Sequence, residues 1–465
     1  MLHTPGYYVR ASVLGTLVAL MLTGCDDMYD TKLDNGMRVI VKEDHRSPVV
    51  VSMVWYKVGS IDEPKGLTGI SHALEHMMFK GTTRHPPNEF SRIIAENGGR
   101  ENAFTTSDYT AYFQQLEKSR LPIALELEAD RMQNLTLDAG EFSKEIQVVM
   151  EERRLRTDDQ PESLTYEKMT STAYQVSPYH HPVIGWMEDL QKLKIEDLRA
   201  WYRRYYRPNN ATLVVVGDVK PSEVVDLAKK YFGPIPAQPF ERPPIPAEPP
   251  QTSQRSINVR VPAQVPYLLM GYHVPVHEPS DTKQNAWDRY ALSVLAGVLD
   301  GGQSARFERD LVRERKVAVR VGAGYDSIGR APTMFIFDGT PAAGHDVKDL
   351  ERALLAEVER IKKEPVGADE LERVKAQVVA SDVFRRDSVF YQAMQLGQLA
   401  MAGLDLGLLD ERVQKISAVT PEQVTAVTRA YLVDSNLTIA TLDPLPMAAK
   451  ARSTPPMGRG RSDAR

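Results

Sequence analysis

The chain has 465 residues and sets 57 Lys and Arg against 62 Asp and Glu, for a net charge of −5; with no basic stripe and no Lys/Arg run, nucleic acid is excluded as a partner. Its apolar share of 42% is that of an ordinary globular protein, and length alone predicts two to four domains. The single cysteine, Cys25, excludes a disulfide framework.

The N-terminus reads as an export signal: Arg10 precedes a short apolar run over residues 13–22, too short to span a bilayer comfortably. The run ends in Leu22-Thr23-Gly24-Cys25, which resembles the bacterial lipobox. That resemblance implies a signal peptide over residues 1–24 and a lipid anchor on Cys25, which holds a protein to a membrane without crossing it. Asp26 and Asp27 follow and resemble an inner-membrane retention signal. The expected location is therefore the bacterial periplasm, on a membrane, with the inner membrane favoured.

Strands are predicted over residues 37–42 and 49–58, and a helix over residues 70–79. That helix carries His72-Ala73-Leu74-Glu75-His76. Residues four apart share a helix face one turn apart, so His72 and His76 can grip one metal ion while Glu75 reaches a water beside it. Two neutral imidazoles suit zinc, and H-x-x-E-H is a zinc-peptidase signature. Ile70, Ala73, Leu74, Met77, Met78 and Phe79 make the helix half-buried, and inward-facing His and Glu need a partner to satisfy them.

Further helices are predicted over residues 87–97, 121–134, 139–157 and 221–231. The helix over 139–157 carries Glu141, Glu145, Glu151 and Glu152. Glu145 and Glu152, seven apart, share a face, but spacing alone does not choose a third ligand among the four. Eight prolines punctuate residues 234–250, which favours extended polyproline conformation and no core. Beyond them, strands are expected over residues 256–261 and 265–274. Helices follow over 281–298, 304–315, 347–362, 368–401 with a break, and 421–431. The tail from residue 445 is rich in Pro, Gly, Ser and Arg and is expected to be disordered.

The two parts look duplicated. Leu198-x-x-Trp201-x-x-x-Tyr205 followed by Asn210-Ala211-Thr212-Leu213-Val214-Val215 matches Val424-x-x-Val427-x-x-x-Tyr431 followed by Asn436-Leu437-Thr438-Ile439-Ala440-Thr441. Each is a periodic helix leading into a strand, at the end of its half. The expected fold is α+β: two homologous halves, residues 25–233 and 255–444, each a mostly antiparallel sheet covered by helices. A proline-rich linker joins them over residues 234–254.

Several further segments carry a resemblance. They are Leu33-Asp34-Asn35-Gly36-Met37-Arg38-Val39, Gly59-Ser60-Ile61-Asp62-Glu63, Glu96-Asn97-Gly98-Gly99, Asn102-Ala103-Phe104-Thr105, Glu145 to Glu152, and Tyr179-His180-His181-Pro182-Val183-Ile184-Gly185. With the zinc motif they resemble the inverzincin family of pitrilysin, insulin-degrading enzyme and the mitochondrial processing peptidases, over about residues 31–442. The resemblance implies a clamshell fold and one zinc ion held by His72, His76 and Glu152. It implies Glu75 as general base and Glu145 as a second carboxylate of the site. It implies Asn102 and Ala103 as an edge that pairs with an extended substrate. The rival to Glu152 is Glu151.

A family segment that supplies an Arg and a Tyr to the substrate is matched at Gly301 to Arg306 and at Leu311-Val312-Arg313-Glu314. This points to Arg313, but Ala318-Val319-Arg320 stands where the Tyr is expected, and Tyr325 is out of place. The chain is therefore expected to act on peptides as a zinc endopeptidase, with a heterodimer partner that is a zinc-less paralogue, or as a homodimer. A non-catalytic scaffold and a zinc-stabilised peptide-binding protein are the alternatives. His45, His85, His180, His181, His273, His277 and His345 are expected to have no part in a second metal site.

Overall fold

The computed structural model describes residues 28–281 and 286–447. The export signal, Cys25 and residues 448–465 lie outside them.

The first half forms a six-stranded sheet in the order β1-β2-β6-β3-β5-β4. Its strands are Met28–Lys32 (β1), Arg38–Glu43 (β2), Val49–Tyr56 (β3), Arg100–Thr105 (β4), Thr110–Glu117 (β5) and Ala211–Gly217 (β6). The second half forms a five-stranded sheet in the order β7-β11-β8-β10-β9. Its strands are Arg255–Pro262 (β7), Tyr267–Val274 (β8), Ala318–Gly324 (β9), Thr333–Pro341 (β10) and Leu437–Leu445 (β11). In each sheet one pair is parallel, β2 with β6 and β7 with β11, and the rest are antiparallel. Strands β2 to β6 thus map one for one onto β7 to β11, in the same order and sense. The mixed α+β architecture of two related, mostly antiparallel sheets agrees with the sequence reading.

The helices of the first half are Ile70–Met77 (α1), Glu89–Glu96 (α2), Leu121–Asn134 (α3), Ala139–Arg153 (α4), Pro161–Ala173 (α5), Met187–Leu190 (α6), Ile195–Tyr205 (α7) and Pro221–Tyr231 (α8). Those of the second are Trp287–Asp300 (α9), Val347–Lys363 (α10), Ala368–Arg385 (α11), Val389–Ala402 (α12), Leu408–Ser417 (α13) and Pro421–Tyr431 (α14).

Successive strand residues face opposite sides of a sheet, and here both sides are covered. Val39, Val41, Val50, Val54, Leu213 and Val215 face the helices of their own half. Ile40, Val51, Met53, Trp55, Val214 and Val216 face α12, which comes from the second half. Reciprocally, α5 of the first half places Met169 and Ala173 against Val259, Leu269, Ala440 and Leu442 of the second sheet. Each half therefore lends one helix to the other. This is why β3 and β6 read as continuous apolar runs rather than alternating ones.

Several local expectations are corrected. The helix over 139–157 is α-helical only to Arg153 and continues as a wider π-helical turn, Arg154–Asp158; such turns are rare and occur often at functional sites. The stretch 304–315 is π-helical over Phe307–Glu314. The helix expected from residue 281 begins at Trp287. The break in 368–401 falls at residues 386–388, where Ser388 caps α12 by accepting from the Tyr391 N–H.

The proline-rich segment has no helix or strand, but it does enter a core: Ile235 is buried with the first-half cluster and Phe240 packs on it. It is also pinned. Arg242 donates to Asp62, at 2.5 Å, to Asn210 and to the Lys57 carbonyl. Glu248 accepts three backbone N–H bonds of 2.8 Å from Gln175, Val176 and Ser177. Across the seam, Arg330 of the second half grips Asp62 through two bonds of 2.7 and 2.9 Å, and both side chains are nearly inaccessible. Leu445, expected in the tail, still pairs with Pro262.

Candidate metal centre

Helix α1 forms because Ile70, Ala73, Leu74 and Met77 recur at helical spacing and are all buried. Its start is held by Glu63, whose carboxyl oxygens accept the Gly69 and Ser71 N–H bonds at 2.7 and 2.9 Å; they satisfy N–H groups that the first turn leaves free, while burial raises the Glu63 pKa to about 8. Gly69 has φ +84, and a Cβ on it would lie 2.6 Å from the Ile184 carbonyl oxygen. That close approach brings the loop of Val183 and Ile184 against α1. With the core face fixed, His72, Glu75 and His76 face a cavity of about 520 Å³, lined also by Asn102, Ala103, Thr105, Glu152 and Arg156.

Helix α4 buries Phe142, Ile146, Val149 and Met150 and turns Glu145 and Glu152 toward α1. Glu152 Oε2 stands 3.2 Å from His76 Nε2 and 3.8 Å from His72 Nε2. The three side chains offer ligand atoms that all lie within 4.8 Å of one another, the one such group among the described residues. Glu151 instead faces outward and pairs with Arg154 at 2.8 Å.

Neither ring nitrogen of His72 makes a hydrogen bond to a described residue, and its Nδ1 is sealed from solvent. Burial, reinforced by His76 and Arg156, lowers the His72 pKa to about 3, so the ring is neutral, the form a metal requires. His76 is oriented from behind: its Nδ1 lies 2.9 Å from Glu145 Oε1, and Lys80 Nζ holds Glu145 Oε2 at 2.6 Å. Burial works to raise the Glu145 carboxyl, but Lys80 and His76 outweigh it and lower it. Arg156, from the π-helical turn, holds Glu152 Oε1 at 2.6 Å, leaving Oε2 toward the imidazoles. Two imidazole nitrogens and one carboxylate oxygen, with a carboxylate behind one imidazole, are a donor set that fits zinc with a further position open.

Glu75 lies on the same helix. Burial raises its carboxyl, against the pull of Thr105 and His76. Asn102 and Ala103 stand on β4, the free edge of the first sheet. Arg313 is not brought to this cavity; its guanidinium donates to the Gln303 carbonyl. Ala318, Val319 and Arg320 open β9, with Arg320 paired to Glu162 at 3.0 Å. Tyr325 donates to the Pro275 carbonyl at 2.6 Å and stacks on Phe335, so no tyrosine lines the cavity among the described residues. Sequence reasoning missed Lys80, Arg156 and the role of Thr105. The contacts of Lys80 and Thr105 join segments far apart in the chain, which no spacing signals; Arg156 lies one turn beyond Glu152 at i, i+4, a spacing that could have signalled it.

The family model described as Insulinase (Peptidase family M16) matches residues 38–185, and that described as Peptidase M16 inactive domain matches residues 192–378. The chain is 32% identical over 417 residues to the zinc protease PqqE of Helicobacter pylori, covering 89% of this chain and 92% of that protein. It superposes on the crystal structure of a protease from Helicobacter pylori with a TM-score of 0.85 at 30% identity, covering 90% of this chain and 99% of that one. The first half of the periplasmic protease PqqL from Escherichia coli shares the fold, with a TM-score of 0.75 at 20% identity over 90% of this chain and 92% of that one.

Proposed function

Since this chain belongs to peptidase family M16, the insulinase family, we propose that it is a zinc-dependent endopeptidase acting on unfolded peptides or protein segments outside the cytoplasm. The observation that carries the reading is the convergence of His72, His76 and Glu152 beside Glu75 in one cavity.

His72, His76 and Glu152 would hold the metal. Zinc bound there supplies Lewis acidity, lowering the pKa of a water toward about 7 and polarising the scissile carbonyl. Glu75 takes one proton from the attacking water at the carboxylate oxygen that faces the cavity. As the C–N bond breaks, it passes that proton to the leaving amine. Glu145 accepts from His76 Nδ1, which fixes the tautomer with the Nε2 lone pair toward the site. The free edge of β4 at Asn102 and Ala103 offers backbone N–H and C=O groups to an extended substrate.

The mature chain is read as residues 25–233 and 255–444 with the linker between, anchored through Cys25 in the periplasm. A structural relative that is a periplasmic protease supports this siting. The position of Arg313 away from the cavity favours a partner subunit, a zinc-less paralogue or a second copy, that completes the substrate contacts.

Purified protein is assayed on a mixture of unstructured peptides, with zinc stoichiometry measured beside Glu75→Gln. Cleavage abolished by a chelator, restored by zinc and lost in Glu75→Gln is the expected result. Absence of bound zinc would refute the reading. Zinc without cleavage, recovered on adding the paralogue, would place the missing groups on a partner.

A further inference from the structure

We infer that Thr105 is a positioning residue for Glu75, and that it ties the base to the strand on which the substrate lies. The inference rests on the reading of Glu75 as general base. Thr105 closes β4 and pairs with Thr110 of β5. Its hydroxyl makes a short hydrogen bond to Glu75 Oε2. The direction of that bond is set by its neighbours. Thr110 Oγ1 lies 3.3 Å from Thr105 Oγ1 but donates its own proton to the Val58 carbonyl at 3.0 Å. The Glu75 carboxylate has no proton to give when it acts as a base. The Thr105 proton therefore goes to the carboxylate.

No other described side chain hydrogen-bonds Glu75. A carboxylate on a helix has soft terminal torsions, so without Thr105 only packing would restrain its plane. With Oε2 held, Oε1 is the oxygen left to face the cavity. The anchor lies on the same strand as Asn102 and Ala103, three and two residues away. A peptide added to that edge takes its register from the β4 backbone, and Thr105 transmits the same register to the base. Proton acceptor and scissile carbonyl are thereby referred to one rigid element. Misplacing a reacting group by about 1 Å can cost 10²-fold in rate.

The test compares wild type, Thr105→Val, Thr105→Ser and Glu75→Gln. Valine keeps the branched shape that suits a strand and removes the hydroxyl; serine keeps the hydroxyl. Each variant is measured for kcat and KM on one peptide, for zinc stoichiometry, and, after zinc is stripped, for peptide affinity by fluorescence anisotropy. We expect kcat of Thr105→Val to fall about 10- to 100-fold, with KM, zinc stoichiometry and peptide affinity unchanged, and Thr105→Ser to stay near wild type. Wild-type kcat in Thr105→Val beside an inactive Glu75→Gln overturns the inference and leaves the general base standing. A Thr105→Ser loss as deep as that of valine, or weakened peptide or zinc binding in step with kcat, also overturns it, since it assigns Thr105 a structural role. Full activity of Glu75→Gln overturns the reading beneath it.

Discussion

Replacing Gly397 by alanine perturbs the contact through which the second half covers the first sheet. Helix α12 crosses Trp55 at this glycine. A Cβ there would lie 2.5 Å from Trp55 Cδ2 and closer still to Cε2 and Cζ2. Carbon atoms prefer about 3.5–4.0 Å, so the helix or the ring must give by about 1 Å or more. The ring has nowhere to go: Trp55 is fully buried, with the rings of Tyr109 and Phe104 against it at centroid distances of 4.8 and 5.8 Å. Retreat of α12 would loosen Ala393, Leu396 and Ala400 as well. Overpacking of this kind costs about 1–3 kcal/mol, while alanine gains about 1 kcal/mol over glycine in a helix. The net expectation is a loss of up to about 2 kcal/mol, read as a lower urea midpoint at unchanged slope. Gly324→Ala, where nothing lies within 4 Å, serves as control and should stay within about 0.5 kcal/mol. A Gly397→Ala protein about 1 kcal/mol more stable than wild type would refute the reasoning, because helix propensity alone would then have decided the outcome.

Glu145→Gln should keep the fold but weaken zinc binding by about 10- to 100-fold, seen by competition with a chromophoric chelator, because the anionic acceptor at His76 Nδ1 is lost. Arg330→Met leaves the buried Asp62 with Arg242 as its remaining guanidinium. Removing one partner of a buried pair costs about 3–5 kcal/mol, and a loss near the lower end is expected in urea unfolding; a change below about 1 kcal/mol would show that Arg242 suffices. Lys57 sits beside the same cluster, where burial first, then Arg330 and Arg242, lower its pKa from 10.5 to about 8 despite Asp62 and Asp108. Its charged form is disfavoured by folding, so Lys57→Met should be more stable than wild type at pH 7. The advantage is full below pH 8 and fades as pH rises from 8 to 10.5; a constant advantage across that range would count against the cause.

The legible parts of the sequence were those governed by local spacing. Helices α3, α8 and α14 matched their predicted bounds, since apolar period and a terminal Pro, Arg or Tyr mark them within a few residues. The edge strands β4 and β9 and their neighbours β5 and β10 were not read: Arg100-Glu101-Asn102 carries no apolar alternation, and β9 includes Gly322 and Gly324. Helix α5 was also missed, because its buried face meets the other half, and its partners Val259, Leu269 and Leu442 lie nearly a hundred or more residues away.

At the site, the i, i+4 spacing of His72 and His76 needs only the geometry of one helix, so the sequence by itself determined that two imidazoles share a face with a glutamate beside them. The repeated helix–strand pattern likewise determined that two related units exist. The choice of Glu152 over Glu151 depended on which side of α4 meets α1. The clamp of Lys80 on Glu145 and the Thr105 bond to Glu75 depend on segments that only folding brings together. Tertiary structure decided these because a side chain's partner across tens of residues is set by packing directions, and local periodicity carries no record of them.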